Sequence, residues 1–220
     1  NYIVSLGNVC KWLGEVAESL GVEVYPGFSA AEVLIDEDDK VYGVATGDMG
    51  VSKDGIAKDS WESGMELHAK YTLFSEGARG SLSKFLIDNF ELSKESDHQK
   101  YAIGIKELWE VKEENHQEGL VEHSMGWPLS EGTGGGSFLY HFGQNLVSIG
   151  YVVHLNYTNP YVSPFDEFQQ FKTHPSIKKI LEGGKRISYG ARAITAGGFQ
   201  SVPKLFFPGG ALIGLSLIHI

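Results

Sequence analysis

Cysteine, positive charge and long apolar runs are what this sequence has least of. Cys10 is the only cysteine among 220 residues, so no internal disulfide and no cysteine-based metal site can form. Lysine and arginine number 18 against 28 aspartate and glutamate, a formal net charge of −10. Such a field repels a phosphate backbone, which argues against nucleic acid as a partner. The longest apolar stretches, such as 146–155, are strand-sized and fall well short of the roughly 20 residues that a membrane-spanning helix needs. The eight histidines never stand at H-x-x-x-H spacing, and no G-x-S-x-G elbow occurs. Those absences leave zinc hydrolysis and α/β-hydrolase chemistry without support. The sequon Asn156-Tyr157-Thr158 has no accompanying secretion signal and reads as chance.

With 42% hydrophobic and 21% charged residues, the chain can bury a core and is not a disordered tract. Its apolar spacing alternates between helical and strand periods, which predicts an α/β fold. Trp12, Leu13, Val16, Ala17 and Leu20 share one face of a helix over 11–20, with Gly21 placed for a left-handed cap. A short strand over 22–24 follows. The strands 32–35 and 41–45 flank an acidic turn at 36–40. The glycine-dotted stretch 47–64 is an excursion from the sheet. The strand 67–74 runs into Ser75-Glu76-Gly77-Ala78-Arg79-Gly80 and a helix over 81–90. Beyond 100 the pattern is mainly strands: 119–127 is placed to pair with 101–109, and 137–142 with 146–155 around Gly143-Gln144-Asn145. Ser163 and Pro164 open a helix, Pro175 opens a second, and Gly183-Gly184 ends it. Returning strands are expected at 185–188 and 205–207.

Two features point to ligands. The strand–turn–helix at 67–90 brings a glycine-rich bend and a helix N-terminus to one place, a geometry that serves a phosphate, a cofactor or a plain structural turn. Glu76, at the end of that strand, can accept hydrogen bonds from a ligand hydroxyl or amide. The run Gly132-Thr133-Gly134-Gly135-Gly136-Ser137 matches neither G-x-G-x-x-G nor a P-loop, yet bare glycines let a planar ligand lie against backbone. Trp109, Trp127, Phe138, Tyr140 and Tyr151 crowd the same region, either as a ligand-pocket wall or as ordinary core.

Separated blocks along the chain then carry a resemblance. They include Gly64-Met65-Glu66-Leu67-His68-Ala69-Lys70, Ile103-Gly104-Ile105-Lys106-Glu107-Leu108-Trp109, Gly126-Trp127-Pro128-Leu129, Asn159-Pro160-Tyr161-Val162-Ser163-Pro164-Phe165, Tyr189-Gly190-Ala191-Arg192-Ala193 and Phe207-Pro208-Gly209-Gly210. Through them the sequence resembles the electron-transfer flavoprotein–ubiquinone oxidoreductases over roughly residues 1–214. The resemblance implies electrons taken from reduced electron-transfer flavoprotein and passed through FAD and a four-iron iron–sulfur cluster to ubiquinone. It also implies a peripheral place on the mitochondrial or bacterial inner membrane. It sets Glu76, Gly77, Ala78, Arg79, Gly80 and Ser81, with Gly209, Gly210 and Gly214, against FAD. It sets Gly135 and Gly136 against ubiquinone. It assigns no catalytic side chain, since electron transfer to a quinone needs no nucleophile, and no metal ligand in these residues.

The implied architecture is a partial FAD-binding domain of the glutathione-reductase type, interleaved with a quinone-binding sheet covered by helices. Residues 1–95 and 185–214 are assigned to the first and 96–184 to the second. Residues 215–220 are set aside as a foreign tail. The chain reads as an internal fragment, lacking the family's G-x-G-x-x-G motif and its cluster-ligating cysteines. Gly134 also departs from the tyrosine usual before the glycine pair. Two other readings stay open: another FAD-dependent oxidoreductase, such as a hydroxylase or geranylgeranyl reductase, and a non-catalytic ligand-binding module.

Overall fold

A computed structural model describes residues 2–214, so the six residues set aside as a tail lie outside the described residues. The chain divides into two units, each built from separated segments. One gathers the residues up to Glu23 with Lys100–Ala196; the other gathers Val24–Gln99 with the chain from Gly197 onward.

The first helix, α1 (Leu6–Ser19), starts earlier than its apolar stripe because Ser5 caps it, accepting from the Asn8 N–H at 3.4 Å. None of its residues is buried. Gly21 ends it at φ +87°, and no strand forms over 22–24. The strands β1 (Ala30–Ile35) and β2 (Val41–Thr46) make the expected hairpin. Asp36 organises its turn, accepting from the N–H groups of Asp38 and Lys40 at 3.0 and 2.9 Å. The excursion folds into a ribbon of its own, β3 (Met49–Val51) with β4 (Ala57–Glu62). The apolar run expected as one strand is broken in two: β5 (Glu66–His68) pairs with β2, whereas β6 (Thr72–Phe74) joins a different sheet and leads into α2 (Ser81–Asn89).

The segment from Lys100 builds an antiparallel sheet in the order β11-β7-β10-β9-β8, where β7 is Tyr101–Glu110, β8 Val121–Met125, β9 Gly135–Phe142, β10 Leu146–His154 and β11 Lys185–Thr195. The pairing expected between 119–127 and 101–109 is therefore corrected. The strand β8 pairs with β9, while β7 takes β10 and β11 as neighbours. As a central strand β10 is paired along both edges, and its Val147, Ile149, Tyr151 and Val153 side chains are fully buried. The helices α3 (Pro164–Phe171) and α4 (Pro175–Leu181) cover that face, bringing Phe168, Phe171, Ile177 and Leu181 into the core. Ser163 caps α3 as expected, 3.3 Å from the Asp166 N–H.

The strand β11 runs the length of β7 and belongs to the five-stranded sheet, whereas the resemblance sets residues 185–195 with the FAD-binding part. Residues up to Glu23 likewise cluster with that sheet's unit. Ladder hydrogen bonds set the place of β11, which sequence separation does not reveal. The chain then returns to the other unit as β12 (Phe206–Phe207) and β13 (Gly210–Leu212). The latter pairs in parallel with β6.

Candidate functional site

The parallel pair β6–β13 explains why two distant glycine-rich stretches meet. Its register sets Gly210 beside Thr72 and Leu212 beside Phe74. The Ile213 N–H continues the ladder to the Phe74 carbonyl at 2.8 Å. The chain leaving β6 at Ser75-Glu76-Gly77 and the chain leaving β13 at Ile213-Gly214 thus emerge at the same carboxyl end. A Cβ on Gly214 would sit 3.8 Å from that of Ser75. Carboxyl ends of parallel strands are where open α/β sheets take ligands.

The individual residues play unequal parts there. Glu76 folds its carboxylate back over the start of α2, accepting from the N–H of Leu82 (3.3 Å), the N–H of Ser83 (2.6 Å) and the hydroxyl of Ser83 (2.7 Å). The positive end of α2 is therefore met by the chain's own anion, and the helix N-terminus offers no open phosphate cradle. Gly80 is required beside it, because a Cβ would come within 2.6 Å of Glu76 Oε2. Gly77, at φ +79°, has nothing within 4 Å of a notional Cβ and leaves open space. Gly209 and Gly210 are buried: a side chain at Gly209 would strike the Val41 carbonyl, and one at Gly210 would meet the Phe207 ring and the Thr72 carbonyl. Both are needed for close strand approach. Only Gly214, exposed at φ +65°, faces outward among these three.

In the other unit, Gly135 and Gly136 open β9 between β10 and β8. A Cβ on Gly135 would strike the Val152 carbonyl and Leu129, and one on Gly136 would strike the Ser124 carbonyl. At Gly134 the space for a side chain is filled by the His154 ring, with Nδ1 at 2.7 Å from a notional Cβ. Gly134 and His154 are thus a fitted pair in this chain.

The strand that the glycine pair opens continues into the wall of a cavity of about 740 Å³. Glu122, His123, Ser124, Met125, Ser137 and Leu139 stand on its sheet side, and Phe171, His174, Ser176 and Ile177 on its helix side. Met125 and Trp127 are exposed along it, an apolar approach to a partly polar interior. The Ser124 and Ser137 hydroxyls lie 2.6 Å apart, and His174 Nδ1 lies 2.7 Å from Ser176 Oγ. Of the five aromatics singled out in the sequence, Trp127 alone lines this space. Tyr151 is core, its hydroxyl donating to the Gly126 carbonyl at 2.8 Å, and burial pushes its pKa up to about 12. Phe138 and Tyr140 stack on each other at 5.0 Å. Sequence reading missed Ser124, His174 and Ser176, because nothing in their spacing shows that α4 closes over the β8–β9 edge.

On β7, Glu107 is 3% exposed at its side chain and joins three elements. It accepts from Lys172 Nζ (2.8 and 2.9 Å), Arg186 Nη1 (3.0 Å) and Trp109 Nε1 (2.8 Å). Burial pushes its carboxyl up, but these hydrogen bonds outweigh that and hold it below the usual range. Lys172 follows the cavity-lining Phe171 directly, so this cluster holds the end of α3 against the sheet.

The fold is similar to that of solved flavin-dependent enzymes. It matches the flavin-dependent brominase Bmp2 with a TM-score of 0.59 at 17% identity, covering 97% of this chain and 49% of that one. The flavin-dependent halogenase CmlS gives 0.56 at 14% identity, covering 92% and 33%. Residues 101–194 match the family model described as ETF-QO, ubiquinone-binding. The electron transfer flavoprotein-ubiquinone oxidoreductase of Pseudomonas aeruginosa is 56% identical over 99% of this chain, and the mitochondrial one of Homo sapiens 58% identical over 98%. Over nearly its whole length the chain is thus similar to electron transfer flavoprotein–ubiquinone oxidoreductases. It spans 40% of the length of the bacterial relative and 35% of the human one.

Proposed function

We propose that this chain supplies the ubiquinone-binding sheet and part of the FAD-contacting surface of an oxidoreductase that carries electrons from reduced electron-transfer flavoprotein to ubiquinone. One observation carries the reading: the segment matching the ubiquinone-binding family holds an apolar-rimmed cavity whose wall is the strand opened by Gly135 and Gly136. An apolar rim suits a polyprenyl tail, and a few hydroxyl and imidazole groups inside suit ring carbonyls.

The residues fit FAD in part. Gly77 and Gly214 present open backbone at the carboxyl end of β6–β13, suited to a flat ring system, and Ser75 stands beside them. FAD, when bound, supplies the electron-transfer chemistry. This chain's own contribution is backbone that approaches closely and a helix whose positive end Glu76 has neutralised. Gly209 and Gly210 act from behind, fixing β13 against β6. A four-iron cluster does not fit these residues, because Cys10 is the sole cysteine; the cluster and the membrane contact are assigned to the rest of the family's polypeptide. The inner-membrane location and the flavoprotein partner rest on that same assignment, and no helix among the described residues is long and apolar enough to cross a membrane.

A chimera tests the proposal. The aligned residues of the Pseudomonas aeruginosa relative are replaced by this chain, and reduction of ubiquinone-1 by reduced electron-transfer flavoprotein is followed. Turnover is expected. A chimera that folds and retains its flavin yet leaves ubiquinone-1 oxidised overturns the proposal.

A further inference from the structure

The two sides of the cavity each carry one hydrogen-bonded polar pair, and Glu122 and His123 also stand on its sheet side. On the sheet side the Ser124 and Ser137 hydroxyls hydrogen-bond each other at 2.6 Å. On the helix side His174 is held twice, with Nδ1 2.7 Å from Ser176 Oγ and its ring packed on Trp127 at 5.4 Å between centroids. When the Ser176 hydroxyl donates to Nδ1, the ring proton sits on Nε2. Among the described residues Nε2 has no hydrogen-bond partner, so this leaves one oriented donor on the cavity's wall. A para-quinone presents one carbonyl acceptor at each end of a flat ring, and that matches His174 on the helix side and the serine pair on the sheet side, His123 Nε2 being engaged with the Tyr140 hydroxyl at 3.2 Å.

We propose that His174 is a quinone-positioning residue: its Nε2–H donates to one ring carbonyl, and the Ser124–Ser137 pair donates to the other. This rests on the quinone reading of the cavity. Trp127 supplies a ring face beside the headgroup, and Met125 borders the tail's path. Ser176 acts through His174 by fixing the tautomer and the ring plane.

The test is titration of the 220-residue chain with ubiquinone-1, followed by calorimetry, with far-ultraviolet circular dichroism of each variant as a folding control. Removing one hydrogen bond to a buried carbonyl is expected to weaken binding about tenfold in His174→Ala. His174→Gln, which retains an N–H donor at similar reach, is expected to stay within about threefold of the parent. An analogue with both carbonyls replaced by methoxy groups is expected to bind His174→Ala and the parent alike. Binding by the parent with no loss in His174→Ala overturns the role of His174 and leaves the quinone site standing. A His174→Gln variant that folds yet loses as much as His174→Ala also overturns it, because the donor is then not what matters. No binding of ubiquinone-1 by the folded parent overturns the quinone reading itself.

Discussion

Replacing Glu107 by leucine should destabilise the chain by about 3–5 kcal/mol, the cost of leaving a buried cation without its partner. The size follows from who remains. Lys172 is 14% exposed at its side chain and directs both of its short contacts at Glu107, so it loses its anionic partner while keeping little contact with water. Arg186 is 44% exposed and can turn to water, so its share is about 1 kcal/mol or less. Trp109 loses an acceptor for its indole N–H, a further cost of about 1 kcal/mol. Replacing both charges, in Glu107→Leu with Lys172→Met, removes the unpaired ion and should recover much of the loss. A double-mutant cycle on urea unfolding measures this. The acid limb gives a second reading. The folded-state pKa of Glu107 lies below the ordinary 4.5, so its contribution is complete above that value and is lost as pH falls through the folded pKa. The Glu107→Leu variant should show a flatter loss of stability below pH 4.5 than the parent. A coupling energy near zero, or a single-variant cost below about 1 kcal/mol, would refute the reasoning that a buried charge pair anchors α3 to the sheet.

Other expectations follow from the same structure. Glu76→Ala strips the cap from α2 and should cost about 1–2 kcal/mol in urea unfolding, whereas an unchanged midpoint would mean the helix end is satisfied otherwise. Gly136→Ala drives a Cβ into the Ser124 carbonyl; a loss of about 1–3 kcal/mol is expected, together with weaker ubiquinone-1 binding as β8 is pushed from β9. Burial, with the neighbouring His116 charge, holds the pKa of His141 below the ordinary 6.5. Its neutral form therefore stabilises the fold above 6.5, and stability should decline as pH falls through that value. The His141→Asn variant, with an acceptor kept for the Gln117 N–H, should show less of that decline in urea midpoints measured against pH. Purified alone, the chain should show little or no visible flavin absorbance. It has no dinucleotide-binding glycine motif, and its one candidate phosphate-binding helix end is occupied by Glu76. A stoichiometric flavin band would contradict this.

Local signals in the sequence determined much of this protein. Ser163-Pro164 and Pro175 begin their helices where capping and a preset φ require, Asp36 builds its turn, and Gly143 and Asn145, both at φ +56°, turn β9 into β10. These depend on residues a few positions apart, so spacing alone exposes them. The glycines at 135 and 136 were also legible as places where backbone comes close to something. What they approach was not. Only tertiary structure decided that β8 lies against β9, that β11 belongs to the five-stranded sheet, and that β13 runs beside β6 to bring Gly214 to Ser75. It also decided that Glu76 serves its own helix, and that His174 and Ser124 share one cavity. Strand neighbours and cavity walls come from hydrogen-bonded ladders and packing between residues tens of positions apart. No local period records them.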